Sequence, residues 1–153
     1  MSDAYDLVII GGGSGGLTAA SLAVQLETRV AIVERHRIGG DCTWTGCVPS
    51  KTLLRTAKLA HQMRHADRHG LAPVDQEVDL SAVMAHVHDV IADVYEEESP
   101  DALRDEGIDV YLDAARFLDP HTVAVGETAL TFRHALIATG AHPFIPPIEG
   151  LGD

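Results

Sequence analysis

The sequence predicts an α/β fold with a parallel sheet, flanking helices and a three-stranded antiparallel meander, and three observations lead there. Two short β-branched runs, YDLVII at residues 5–10 and RVAIVE at 29–34, bracket a glycine-rich turn and a helix-forming stretch. Two long segments with helical spacing follow. Beyond Ile108 the hydrophobic period becomes that of strands, with turn signals at Asp119-Pro120 and Gly126-Glu127.

Each element has its own justification. Residues 5–10 form an unbroken apolar run, as a strand buried on both faces requires. GGGSGG interrupts it, and residues 17–27, rich in small side chains, read as a helix. Residues 29–34 supply a second buried strand and complete a βαβ unit of about thirty residues. Residues 50–70 read as a helix stopped by Gly70. A further long helix starts at Asp79 or Ser81 as N-cap, carries Val83, Val87, Val90, Ile91 and Val94 on one face, and ends near Ser99-Pro100 after the solvated run 96–98. Three short strands make the meander, and residues 134–139 return to the main sheet. The tail from Gly140, rich in Pro and Gly, reads as a departing connection.

Length and charge bound the possibilities. The 153 residues suit one domain, and 46% hydrophobic composition is enough for a core. A net charge of −12 opposes binding to nucleic acid or to an anionic membrane. The apolar stretch 7–26 resembles a leader or span, but Asp3 and Asp6 stand where a leader is basic, and its glycines break a membrane helix. A cytoplasmic location is therefore expected, where two cysteines are catalytic or metal-binding rather than a passive staple.

Gly11, Gly13 and Gly16 form GxGxxG between strand and helix. The first glycine permits a tight turn, the second lets backbone approach a pyrophosphate, and the third lets helix pack on strand. The helix N-terminus offers unpaired N–H groups to that anion. Glu34, eighteen residues past Gly16, ends the second strand and can accept hydrogen bonds from a ribose diol. NAD and FAD both suit this fingerprint.

Cys42 and Cys47 are the only cysteines. Zinc needs four ligands, and no nearby histidine completes a set. His61, His65 and His69 fall at helical spacing but lack a further ligand, so no metal is expected. A staple across so short a loop contributes little, which leaves redox chemistry as the leading reading. Residues five apart on a helix point about 140° from one another, so an S–S bond needs an irregular turn, which Gly39, Gly40 and Gly46 permit. Pro49 suits the first turn of the next helix. Cys47, at that helix's positive end with Lys51 one turn on, is expected to favour its thiolate. Trp44 reads as packing within the loop, and Met63 and Met84 as fillers.

GGDCTWTGCVPSK at 39–51, with VIIGGGSGG upstream and ALIATGAHPFIPPIEG downstream, resembles the class I pyridine nucleotide-disulfide oxidoreductases. The resemblance covers the whole chain in order. It implies a Rossmann-like FAD-binding fold in which Ser14 and Gly15 approach the pyrophosphate and Glu34 holds the adenosine ribose. Gly40, Asp41 and Cys42 would line the path to the flavin, Lys51 would lie near its N5, and Ala115 would contact adenine. Thr139 and Gly140 would close on the cofactor. It further implies that NAD(P)H reduces FAD, that electrons reach Cys47 and open a Cys42–Cys47 disulfide, and that Cys42 attacks a small-molecule or disulfide substrate.

Departures accompany the match. Asp41 replaces the common Thr and is expected to disfavour a Cys42 thiolate, and Trp44-Thr45 replace the common Asn-Val. Residues 1–140 read as the N-terminal part of an FAD-binding domain and 141–153 as a connection toward an NAD(P)-binding domain. No second GxGxxG occurs in the sequence. It is therefore expected to be a fragment that does not turn over alone, from a full-length homodimer. A dinucleotide-binding module with relic or sensing cysteines is the alternative, and a zinc-stabilised domain the weakest reading.

Overall fold

The structure is a computed structural model that describes residues 4–151. Asp3, one of the acids opposing a leader, and residues 152–153 at the end of the expected connection lie outside the described residues.

The chain runs β1 (Tyr5–Ile10), α1 (Ser14–Gln25), β2 (Val30–Glu34), α2 (Gly40–Trp44) and α3 (Cys47–Arg64). A 3₁₀ turn at Ala66–His69 precedes α4 (Leu80–Glu98), α5 (Pro100–Asp105) and β3 (Ile108–Leu112). The chain then forms β4 (Ala115–Asp119), β5 (Thr122–Val125) and β6 (Thr128–Ile137). One six-stranded sheet has the order β3-β2-β1-β6-β5-β4. The first four positions are parallel, and β6, β5 and β4 pair antiparallel.

The α/β class and the meander are as the sequence predicts, with two refinements. Ile108–Leu112 is a separate parallel strand beside β2 rather than the opening of the meander. β6 is one continuous strand of ten residues. Its first half pairs with β5 and its second half with β1, so the meander's last strand is also the return strand.

The apolar runs are continuous because both sheet faces are buried. Val8, Ala31 and Val33 pack with Val123, Val125, Leu130 and Phe132, so the meander's apolar side chains cover one face. Ile9, Val30, Ile32 and Ile108 pack with Ala20, Ile38 and Leu103 on the other. Each fully buried aliphatic contributes about 1.5–3 kcal/mol.

The helices begin and end for local reasons. Asp79 caps α4 by accepting from the backbone N–H groups of Ser81 and Ala82 at 2.8 and 3.3 Å. Ser99 ends α4 and caps α5, with Pro100 at the first position, so the chain turns into a second short helix that periodicity does not reveal. Gly70 closes the 3₁₀ turn in the left-handed conformation. Among the described residues, no helix is long and apolar enough to cross a membrane.

Candidate functional site

The carboxyl ends of β1, β2 and β6 meet at the point where strand order reverses beside β1, the position where open α/β sheets bind ligands. Two adjoining clefts open there, of about 530 and 480 Å³. Gly11, Gly13, Ser14, Gly15, Glu34, Gly40, Asp41, Cys42, Thr139 and Gly140 line the larger one. Ala115 lines the second, together with Gly11, Glu34, Thr139 and Gly140.

The glycine loop is held by close backbone contacts. Gly11 has φ of +112°, and a Cβ there would collide with the Ala138 carbonyl. The same stretch bonds in, with Ala138 N–H donating to the Ile10 carbonyl at 2.8 Å. A Cβ on Gly16 would strike the Gly11 carbonyl, so α1 sits directly against the turn. Gly16 is buried and does not line the cleft; its role is packing. Gly15, by contrast, faces open space. α1 has no side-chain cap and no acid in its first turn, so its leading N–H groups stay available.

Glu34 does more at this turn than the sequence suggests. One of its oxygens accepts from Gly12 N–H and the other from His36 N–H, both at 2.8 Å. The carboxylate therefore ties the loop to the end of β2, while its remaining lone pairs stay available toward the cleft.

The cysteine turn is docked onto this loop by main chain. Gly39 N–H donates to the Gly12 carbonyl at 2.8 Å, and Gly13 and Gly39 form a parallel bridge. Gly40 has φ of +58°, and a Cβ on it would lie 2.8 Å from the Gly13 Cα. α2, a five-residue helix not foreseen from periodicity, then carries Cys42, and Gly46 leads into α3 with Cys47 at its first position. Gly46 is needed for tightness rather than for a left-handed backbone: its φ is −116°, and a Cβ would lie 2.8 Å from the Asp41 carbonyl.

Side chains fix the turn on its other side. The buried Thr43 hydroxyl donates to Glu98 Oε2 at 2.6 Å. Trp44 donates its indole N–H to the Ile38 carbonyl at 2.7 Å and packs on Tyr95, ring centroids 4.9 Å apart. Arg37 lies over the same indole at 3.9 Å.

Both cysteines are free thiols, Cys42 half-buried and Cys47 exposed, and their side chains interact. The electrostatics bear on which of the two is the more acidic. Hydrogen bonds from Cys47 and then Ser14 lower the Cys42 pKa, Lys51 assists, and burial and Glu98 oppose. Cys47 is raised by its interaction with Cys42 and by the charge there, with Lys51 opposing. The two directions favour the thiolate at Cys42 over Cys47. Asp41 is exposed and meets the Thr45 hydroxyl at only 3.5 Å. A carboxylate that opposes the Cys42 thiolate is Glu98, which the sequence hides in an acidic run that reads as solvated.

Cys47 and Lys51 lie outside the residues lining the cleft, on the exposed start of α3. His61 and His65 stack with ring centroids 4.1 Å apart. Among the described residues, no group of three or more His, Cys, Asp or Glu comes together to hold a metal.

A crevice at the ends of parallel strands, walled by glycine backbone and ending at a dithiol, defines a Rossmann-like oxidoreductase domain. The chain matches the family described as "Pyridine nucleotide-disulphide oxidoreductase" over residues 5–153, and it belongs to that family. It is 36% identical over 149 residues to a mercuric reductase of Lysinibacillus sphaericus, covering 97% of this chain and 27% of that protein. A dihydrolipoyl dehydrogenase of Bacillus subtilis (strain 168) is 34% identical over 163 residues, covering 97% of this chain and 34% of its own length. One from Zymomonas mobilis is 43% identical over 90 residues, 59% of this chain and 19% of that protein. The chain thus spans about a quarter of the first curated relatives it matches, 27% and 24% of their lengths.

Proposed function

We propose that this chain is the FAD-binding and redox-dithiol segment of an NAD(P)H-dependent flavoprotein disulfide oxidoreductase. One observation carries the reading: the uncapped N-terminus of α1, with Gly13, Ser14 and Gly15, lines a cleft that Cys42 also lines. These residues fit FAD. The first-turn N–H groups would hold its pyrophosphate, with Gly15 leaving open space for close approach. Glu34 would take the ribose and Ala115 the adenine from the adjoining cleft, and Thr139-Gly140 would close over both. Gly40, Asp41 and Cys42 would border the flavin ring. Lys51 acts through its charge on the cysteines.

FAD held there supplies two-electron transfer between a nicotinamide and sulfur. The chain's own part is thiol chemistry. A Cys42–Cys47 disulfide takes two electrons and two protons to become the dithiol. The Cys42 thiolate attacks a disulfide acceptor and expels one thiol. Cys47 then attacks Cys42 sulfur, which restores the disulfide and releases the second thiol. A lowered pKa on Cys42 supports its role as the attacking thiol. A small-molecule or disulfide substrate is proposed on the same basis, since the relatives are named mercuric reductase and dihydrolipoyl dehydrogenase. Residues 1–140 form the cofactor-binding part and 141–153 the connection. A nicotinamide electron donor and a homodimeric assembly belong to the same proposal.

The test is direct. The purified chain, first oxidised to its Cys42–Cys47 disulfide and then titrated with FAD, quenches flavin fluorescence at a stoichiometry of one, and anaerobic reduction of the bound flavin raises the titratable thiols from zero to two. A chain that leaves added flavin unquenched, or whose thiol count stays constant while flavin is reduced, overturns the proposal. A non-catalytic dinucleotide module would bind flavin and give that second result.

A further inference from the structure

Glu98 occupies a place a carboxylate would ordinarily avoid. It is the last residue of α4, at the negative end of the helix dipole, and the last turn holds no basic residue. Glu96 and Glu97 beside it are exposed, whereas Glu98 is half-buried. Among the described residues, no ion pair involves it. Its Oε2 instead receives the hydroxyl of Thr43, which is 1% exposed. The same oxygen lies 3.0 Å from where a Gly39 Cβ would be, so the carboxylate sits near the N-cap of α2. Tyr95, one turn earlier on α4, packs on Trp44. The last turn of α4 therefore grips two successive residues of the helix that carries Cys42.

We infer that Glu98 is a positioning residue for the dithiol: it fastens the Cys42-bearing helix through Thr43 and keeps a fixed negative charge beside the cysteines. The inference rests on the dithiol reading for its purpose, not for its test. Three elements supply the four groups around Cys42: Ser14 from α1, Cys47 and Lys51 from α3, and Glu98 from α4. Ser14, Cys47 and Lys51 favour the thiolate, and Glu98 opposes them. The carboxylate thus moderates the acidity of a thiol that its neighbours would otherwise push further down. A moderated thiolate is also the better nucleophile, because intrinsic nucleophilicity falls with pKa.

The experiment measures alkylation of Cys42 by iodoacetamide against pH, resolved from Cys47 by peptide mass spectrometry, in the chain without flavin. Glu98→Gln preserves shape and removes charge, so the Cys42 midpoint moves to lower pH, with alkylation at neutral pH about twofold faster. Glu98→Asp retains the charge and returns the midpoint toward the parent. Thr43→Val releases the carboxylate to water and moves the midpoint in the same direction as Glu98→Gln, by less. Circular dichroism reports that each variant is folded. A Cys42 midpoint unchanged in both folded Glu98→Gln and Thr43→Val overturns the inference, and movement in Glu98→Gln alone overturns the tether. Flavin takes no part, so failure to bind FAD would sink the proposed function while leaving this measurement intact.

Discussion

The glycine loop and the cysteine turn lie side by side on one cleft and are held by different means. At the loop most restraints are steric and made of main chain, Gly11 against Ala138 and Gly16 against Gly11, with the Glu34 carboxylate added. At the turn, beyond its docking glycines, the restraints are side-chain bonds and rings: Thr43 to Glu98, Trp44 to Ile38, Tyr95 and Arg37. A cradle for a large rigid cofactor gains from backbone that cannot shift. A thiol whose protonation must respond gains from charges and hydrogen bonds that tune it. Steric restraints fail abruptly on substitution, and electrostatic ones fail by degrees.

That contrast can be broken at four places. Gly11→Ala adds a Cβ at φ of +112° into backbone, and should cost about 2–4 kcal/mol, read as a lower urea midpoint. A midpoint equal to the parent's would show that the loop yields, and the distinction would collapse. Glu34→Ala removes the acceptor for two backbone N–H groups and should cost about 1–2 kcal/mol, discounted for its partial exposure, with FAD affinity falling about tenfold. Loss of affinity without loss of stability would make Glu34 a ligand contact and not a clamp.

Gly15→Ala gives the opposite sign. Its Cβ meets nothing within 4 Å, and alanine in a helix should stabilise by about 0.5–1 kcal/mol, visible as a raised melting temperature, while FAD binding weakens. Stabilisation with undiminished FAD binding would remove Gly15 from the cradle. At the cysteines, stability should hardly change, and reactivity should move with pH. Cys47→Ala removes the S–H donor, so Cys42 alkylation shifts to higher pH. Cys42→Ala frees Cys47 from its raised state, and Cys47 alkylation shifts to lower pH. Shifts of the reverse sign would return the thiolate to Cys47.

The sequence conveys the cradle better than the turn, and the reason is physical. GxGxxG between two β-branched runs restricts the backbone locally, so strand, turn and helix can be read from neighbours in the chain. Thr43 and Glu98 are 55 residues apart, and their contact exists only once α4 packs on α2. Periodicity on Val87 and Ile91 locates the buried face of α4 but says nothing of where its last carboxylate points. The same holds for Cys47. Its helix terminus and Lys51 are local signals, whereas the thiol that accepts its hydrogen depends on the fold of α2. β6 shows a third limit, since one unbroken run of residues serves two partners and leaves no mark between Thr131 and Phe132 where duty changes.

The bare contact between Gly13 and Gly40 has a wider meaning for how such a protein can diversify. With main chain touching main chain, Gly40 cannot accept a side chain without moving sulfur relative to the cavity. Variation in what is reduced must therefore enter around that fixed joint, at residues such as Trp44 and Thr45 that project from it.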